Sequence, residues 1–124
     1  MAKLTASVTI ADSASLSGAA RIAYPDPKQN GYTTLVGLIV PSTWSTAVIS
    51  FAAGLTQIGT FYPVYAASGA EVVTGSITGG TAVWVALDPA DFVGIPWIKV
   101  RSGTSAAATN QSGGDAITLV LGTV

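Results

Sequence analysis

Apolar and polar positions alternate along much of this chain in short β-branched runs. The runs recur every ten to fifteen residues, with Gly, Pro, Asn, Asp and Ser between them. No window places apolar residues at i, i+3, i+4 and i+7 between caps, so the pattern predicts strands rather than helices. Leu4–Ile10 opens the series, and Ser15–Ile22 follows as a weaker strand rich in Ala and Gly. Tyr24 to Gly31 holds two prolines close to an Asn-Gly pair and predicts a loop. Tyr32–Val40 is apolar at both parities from Leu35 onward, the signature of a central strand covered on both faces, and Pro41 ends it.

Further strands are expected at Thr46–Ala52, Phe61–Ala66, Glu71–Thr74, Thr81–Leu87, Trp97–Arg101 and Asp115–Leu121, with Ser68-Gly69 as a hairpin turn. Within them Ile49 and Phe51 oppose Val48 and Ser50, and Val83, Val85 and Leu87 oppose Trp84. Ile98 and Val100 point inward while Trp97, Lys99 and Arg101 point outward; Ile117, Leu119 and Leu121 line the last inward face. Eight or nine short strands with no internal repeat or linker predict an all-β, antiparallel β-sandwich of jelly-roll type, one domain over residues 1–124. The polar stretch 104–114 is either a surface loop or a segment ordered by a neighbour.

Composition changes what the outside of such a sandwich must be. Only 9% of residues are charged, against about a quarter in a typical domain, while 49% are hydrophobic and mean hydropathy is +0.56. Five basic and six acidic side chains cannot cover the exterior, so Ser, Thr and Gly must cover much of it. A surface of that kind loses little on meeting a partner, because few charges need desolvation. A net charge of −1 gives no basic field for phosphate backbones and excludes nucleic acid as the expected partner. The alternating N-terminal residues do not read as a secretory signal, and no apolar run reaches the ~18 residues of a membrane helix.

Candidate chemistry is sparse. With no His and no Cys, neither a nucleophilic triad nor an N/S zinc site can be built. The one close carboxylate pair is Asp88 and Asp91 in Leu87-Asp-Pro-Ala-Asp-Phe92. It reads as a capped turn that delivers Phe92 to the core, with a weak calcium site as the alternative. A Ser–Lys dyad using Lys99 or Lys28 has nothing nearby to lower the lysine pKa. Gly79-Gly80 and Gly113-Gly114 lack the Lys-Ser or Lys-Thr of a phosphate loop and read as turns. No cofactor, metal or enzymatic activity is therefore expected. Trp97, Lys99 and Arg101 on one outward strand face suit a contact instead, since Trp and Arg are enriched at interfaces. Trp44, Tyr62 and Tyr65 are expected to pack in the core or under loops rather than form a sugar platform.

Ile39-Val-Pro-Ser-Thr-Trp44 followed by Ala47-Val-Ile-Ser-Phe51 resembles the opening motif of small virion-associated proteins of tailed bacteriophages. Gly59-Thr-Phe61, Val64-Tyr65 and Gly69-Ala-Glu71 follow in that family's order. Leu87 to Phe92, Trp97 to Thr104 and the closing Asn110-Gln111 resemble its second half, so the resemblance runs from about Leu35 to Leu121. Gln57-Ile-Gly59-Thr60 stands where members carry an Asp-Gly pair, and no ligand role is carried over there.

The resemblance implies a virion structural protein, made in the host cytoplasm without a signal peptide. The expected function is capsid decoration: a homo-oligomer that binds the major capsid protein and reinforces the head, with no role for nucleic acid or membrane. Its expected contacts are the N-terminal segment, the loops 24–31 and 104–114, and Trp97, Lys99, Arg101, Lys28, Asn30, Asn110 and Gln111. The alternative is a tail or fibre module that binds host-surface carbohydrate. It would require a concave patch holding Trp or Tyr beside carboxylates or amides. A depolymerase would need paired carboxylates about 5 to 10 Å apart on one rim.

Overall fold

Short strands that alternate buried and less buried positions, with two buried at both parities, Thr34–Val40 and Ile49–Gly54, build the two sheets of the computed structural model, which describes residues 5–28 and 30–123. The expected strand start at Leu4, the rest of the N-terminal contact segment and Gln29 of the 24–31 loop lie outside the described residues. β1 (Thr5–Ile10), β10 (Asp115–Gly122), β5 (Thr34–Val40) and β8 (Val83–Ala86) form one antiparallel sheet in that order. β2 (Ala20–Arg21), β9 (Trp97–Ser102), β6 (Ile49–Gly54) and β7 (Phe61–Pro63) form the second, also antiparallel. The chain is all-β, and one buried cluster drawn from both sheets lies between them.

The predicted inward sets occupy that core. Ile117, Leu119 and Leu121 of β10 are buried, as are Ile98 and Val100 of β9 and Ile49 and Phe51 of β6. β5 is a central strand, as its double-sided apolar pattern requires, and a register shift opposite Val120/Leu121 breaks its ladder with β10. Its outer face is closed at Gly37 by the Trp84 indole, whose Nε1 would lie 3.0 Å from a Cβ at that position. No helix of the described residues is long and apolar enough to cross a membrane.

Several predicted boundaries moved, each for a local reason. Tyr32 does not open β5. It belongs to β4 (Gly31–Tyr32), which pairs with β3 (Pro25–Asp26) in a short hairpin. The predicted 24–31 loop is therefore folded on itself. Asp26 anchors it, accepting the Thr123 hydroxyl at 2.8 Å and the Lys28 amide at 3.2 Å. Ser15–Ile22 follows β9 over most of its length, but the ladder breaks where the Ser17 hydroxyl, not a carbonyl, accepts the Val100 amide at 2.9 Å. Only Ala20–Arg21 remains regular strand. The 61–74 hairpin holds its Ser68-Gly69 turn, with Tyr65 bridging Glu71, although regular pairing stops at Pro63.

The 104–114 segment is tied down by its own chain. Gly103, at φ +88°, packs where the backbones of Ala107, Ala108 and Thr109 leave no room for a Cβ. Thr109 then donates its amide to Ser102, and Gly113 to the Asp12 carboxylate at 2.8 Å. Close by, the fully buried Asp115 accepts the Thr43 hydroxyl at 2.7 Å.

Candidate interaction surfaces

β9 lies inside its sheet, between β2 and β6, and register places three rows of side chains on the outer face. Arg21, Trp97, Gly54 and Phe61 share one row; Lys99, Ala52 and Pro63 share the next; Leu16, Arg101, Ser50 and Val73 share the third. The outward direction predicted for Trp97, Lys99 and Arg101 holds, but none of the three is fully exposed. Lys99 Nζ sits 4.6 Å from the centroid of the Phe61 ring, and that ring lies flat against Gly54. Arg101 Nη1 donates to the Ser50 hydroxyl at 3.3 Å and lies 3.7 Å from the Glu71 carboxylate. Arg21 stacks over Tyr24 at 4.6 Å. Three of the chain's five cations thus share this face with Glu71; Lys99 and Arg101 are half-buried against their own protein, while Arg21 stays exposed.

The remaining predicted contact residues divide. Lys28 and Asn30 are exposed in the turn of the β3–β4 hairpin, and Asn110 is exposed on the 104–114 loop. Gln111 requires a correction. Only 1% exposed, it cannot touch a partner. Its Oε1 accepts the Ser45 amide at 2.7 Å, and its Nε2 donates to the Ser45 carbonyl and the Ser102 hydroxyl at 2.9 and 2.8 Å. Its place in a polar, small-residue stretch gave the appearance of a surface residue, but a neutral amide that can donate and accept together suits a buried clamp.

Tyr62 and Tyr65 also depart from expectation. Trp44 is buried as predicted, but these two are 63% and 56% exposed. They stand over a groove of about 340 Å³ between β7 and the connection from β8 to β9, lined also by Leu55, Asp91, Ile95 and Pro96. Strand parity could not show this, because Tyr62 shares the inward parity of Val64 yet sits at the sheet edge, where the core has ended.

Asp88 and Asp91 form the predicted turn, but the capping side chain is that of Asp88, with Asp91 inside the turn rather than at its cap. Asp88 accepts the Ala90 amide at 3.1 Å, Pro89–Asp91 makes one 3-10 turn, and Phe92 enters the core. Among the described residues no group of three or more His, Cys, Asp or Glu side chains could hold a metal. Replacing Asp88 with alanine is expected to cost about 1 kcal/mol, read as a drop of a few degrees in Tm. A Tm equal to wild type would show that Pro89 alone sets the turn.

One further surface lies outside every predicted contact. The β6–β7 loop carries Leu55 and Ile58 at 83% and 95% exposure, with no charged residue between Gly54 and Phe61. The only signal for it was aliphatic residues outside any strand alternation. Searches against protein-family models, curated proteins and solved structures return no match for this chain.

Proposed function

We propose that the chain is a bacteriophage virion protein that decorates the capsid and binds the major capsid protein through the outer face of the β2-β9-β6-β7 sheet. The observation that carries this reading is the row structure of that face. Trp97 and Phe61 supply flat apolar area, Lys99 and Arg101 add half-buried cations already held by intramolecular contacts, and the exposed Arg21 stacks on Tyr24 beside them. Side chains held before binding lose less entropy on association. An excess of positive charge on one face of a chain with net charge −1 fits an acidic patch on the shell.

Two other features support the reading. The total accessible surface is 6254 Å², close to the roughly 6,100 Å² expected for a folded monomer of 12.4 kDa. A chain that closes its own core can be added to a finished shell. With the β3–β4 hairpin set aside, the strand order in each sheet is the one that interleaved Greek keys produce, which supports a jelly-roll.

The test is co-sedimentation of the purified chain with empty heads that lack it. Saturable recovery at a fixed ratio to the major capsid protein is expected, weakening as salt rises. Trp97→Ala and Lys99→Glu should each lower the affinity at least about tenfold. Recovery only with bacterial envelope polysaccharide, or none with heads, would overturn the proposal.

A further inference from the structure

We propose that the groove between β7 and the β8–β9 connection is a binding site for a neutral saccharide. The inference does not rest on the capsid reading, because none of Trp97, Lys99 and Arg101 lines this groove. Its chemistry is that of a sugar site assembled from three kinds of surface. Tyr62 and Tyr65 offer exposed rings, flat apolar faces of the kind on which the C–H face of a pyranose can lie. Pro63, Ile95 and Pro96 extend the apolar lining. Asp91 supplies a half-buried carboxylate, able to accept hydrogen bonds from two adjacent hydroxyl groups.

Nothing among the described residues uses these polar groups. Among the described residues neither tyrosine hydroxyl nor the Asp91 carboxylate has a hydrogen-bond or ionic partner, whereas Glu71 and Asp115 both do. A carboxylate left without a donor at the mouth of an aromatic groove suits a ligand that brings hydroxyl donors with it. The volume, about 340 Å³, falls at the lower end of the roughly 300–1,000 Å³ typical of small-ligand sites.

The walls are fixed before any ligand arrives. On one side Asp88 caps the turn carrying Asp91, and Phe92 anchors the connection by an edge-on contact with Phe51, centroids 4.9 Å apart. On the other, Ala66 donates its amide to Ala70 and Gly69 to Ala66, holding the hairpin from which Tyr65 projects. Such preorganisation lowers the cost of binding.

Charge selects the sugar class. The groove lining holds one acid and no Lys or Arg, so uronates and sialylated glycans meet repulsion while neutral sugars do not. A proline-rich peptide could also lie on tyrosines. The unpartnered carboxylate favours the saccharide, since a proline-rich chain offers few donors to satisfy it.

The test is calorimetric titration of the full-length chain with maltohexaose, cellohexaose, chitohexaose and hexagalacturonate. At least one of the three neutral oligomers is expected to bind saturably at millimolar concentration or below, with hexagalacturonate at least about tenfold weaker. Tyr62→Ala, Tyr65→Ala and Asp91→Asn should each reduce that affinity about tenfold or more, with Tm unchanged. Tyr62→Ala should leave recovery with empty heads intact, which separates this site from the capsid-binding face. The proposal is overturned if none of the neutral oligomers saturates, if the three variants bind like wild type, if hexagalacturonate binds best, or if a proline-rich peptide occupies the groove and the sugars do not.

Discussion

Replacement of Gln111 by alanine is expected to destabilise the fold by about 3 kcal/mol and lower Tm by roughly 10–15 °C. One side chain here closes three polar contacts between segments far apart in sequence, the Ser45 amide and carbonyl and the Ser102 hydroxyl. Ser102 is fully buried, so water cannot easily replace the lost amide. Each buried group left unpaired costs about 1–3 kcal/mol, and the vacated volume adds a cavity term. Gln111→Met, which keeps most of the volume, should recover only the packing part and remain well below wild type. Thermal unfolding followed by circular dichroism provides the measurement. A Tm within about 3 °C of wild type for the alanine variant would mean that the Ser45 loop finds other partners.

Phe92→Ala is expected to cost about 3–5 kcal/mol and to impair saccharide binding at the neighbouring groove. Phe92 is 1% exposed and meets Phe51 edge to face at 81°, so it joins the β8–β9 connection to the centre of the core. Its removal opens a cavity beneath the segment that positions Asp91 and Ile95. That loss is a large fraction of the roughly 5–15 kcal/mol that holds a typical domain together. Phe92→Leu therefore serves as the binding probe, since it keeps an apolar anchor at lower cost. The expected outcome is a folded Phe92→Leu protein with weakened sugar affinity, and a Phe92→Ala protein whose urea midpoint falls sharply. Equal midpoints for Phe92→Ala and wild type would place the anchor elsewhere.

Both effects involve residues whose importance was unevenly visible in the sequence. The turn before Phe92 was legible, since Asp before Pro followed by an aromatic specifies a local geometry that needs no distant partner. The outward direction of Trp97, Lys99 and Arg101 was legible from strand period alone. What those side chains then touch was not. Lys99 reaches Phe61 only because β9 and β7 flank β6 and set the two residues in adjacent rows, and Arg101 finds Glu71 because the 71–74 limb of the hairpin bridges β6 at Ser50. Gln111 looked like a surface residue because its neighbours in sequence are small and polar. Its burial is decided by the 45 and 102 segments that close over it. The aromatic groove was missed because Tyr62 and Tyr65 lie near the edge of a sheet, where parity no longer implies burial.

By itself the sequence determined the class of the fold, the inward faces of β6, β9 and β10, the turns, and the scarcity of charge outside. These follow from the two-residue period of a strand and from the local conformations of Gly, Pro, Asn and Asp, interactions that span a few positions. Only the tertiary structure decided the order of strands in each sheet, the burial of Gln111, the contacts of Lys99 and Arg101 on the outer face and the meeting of Tyr62, Tyr65 and Asp91. Each depends on contacts between residues tens of positions apart, and a pattern read along one chain carries no term for which distant segments come to lie side by side.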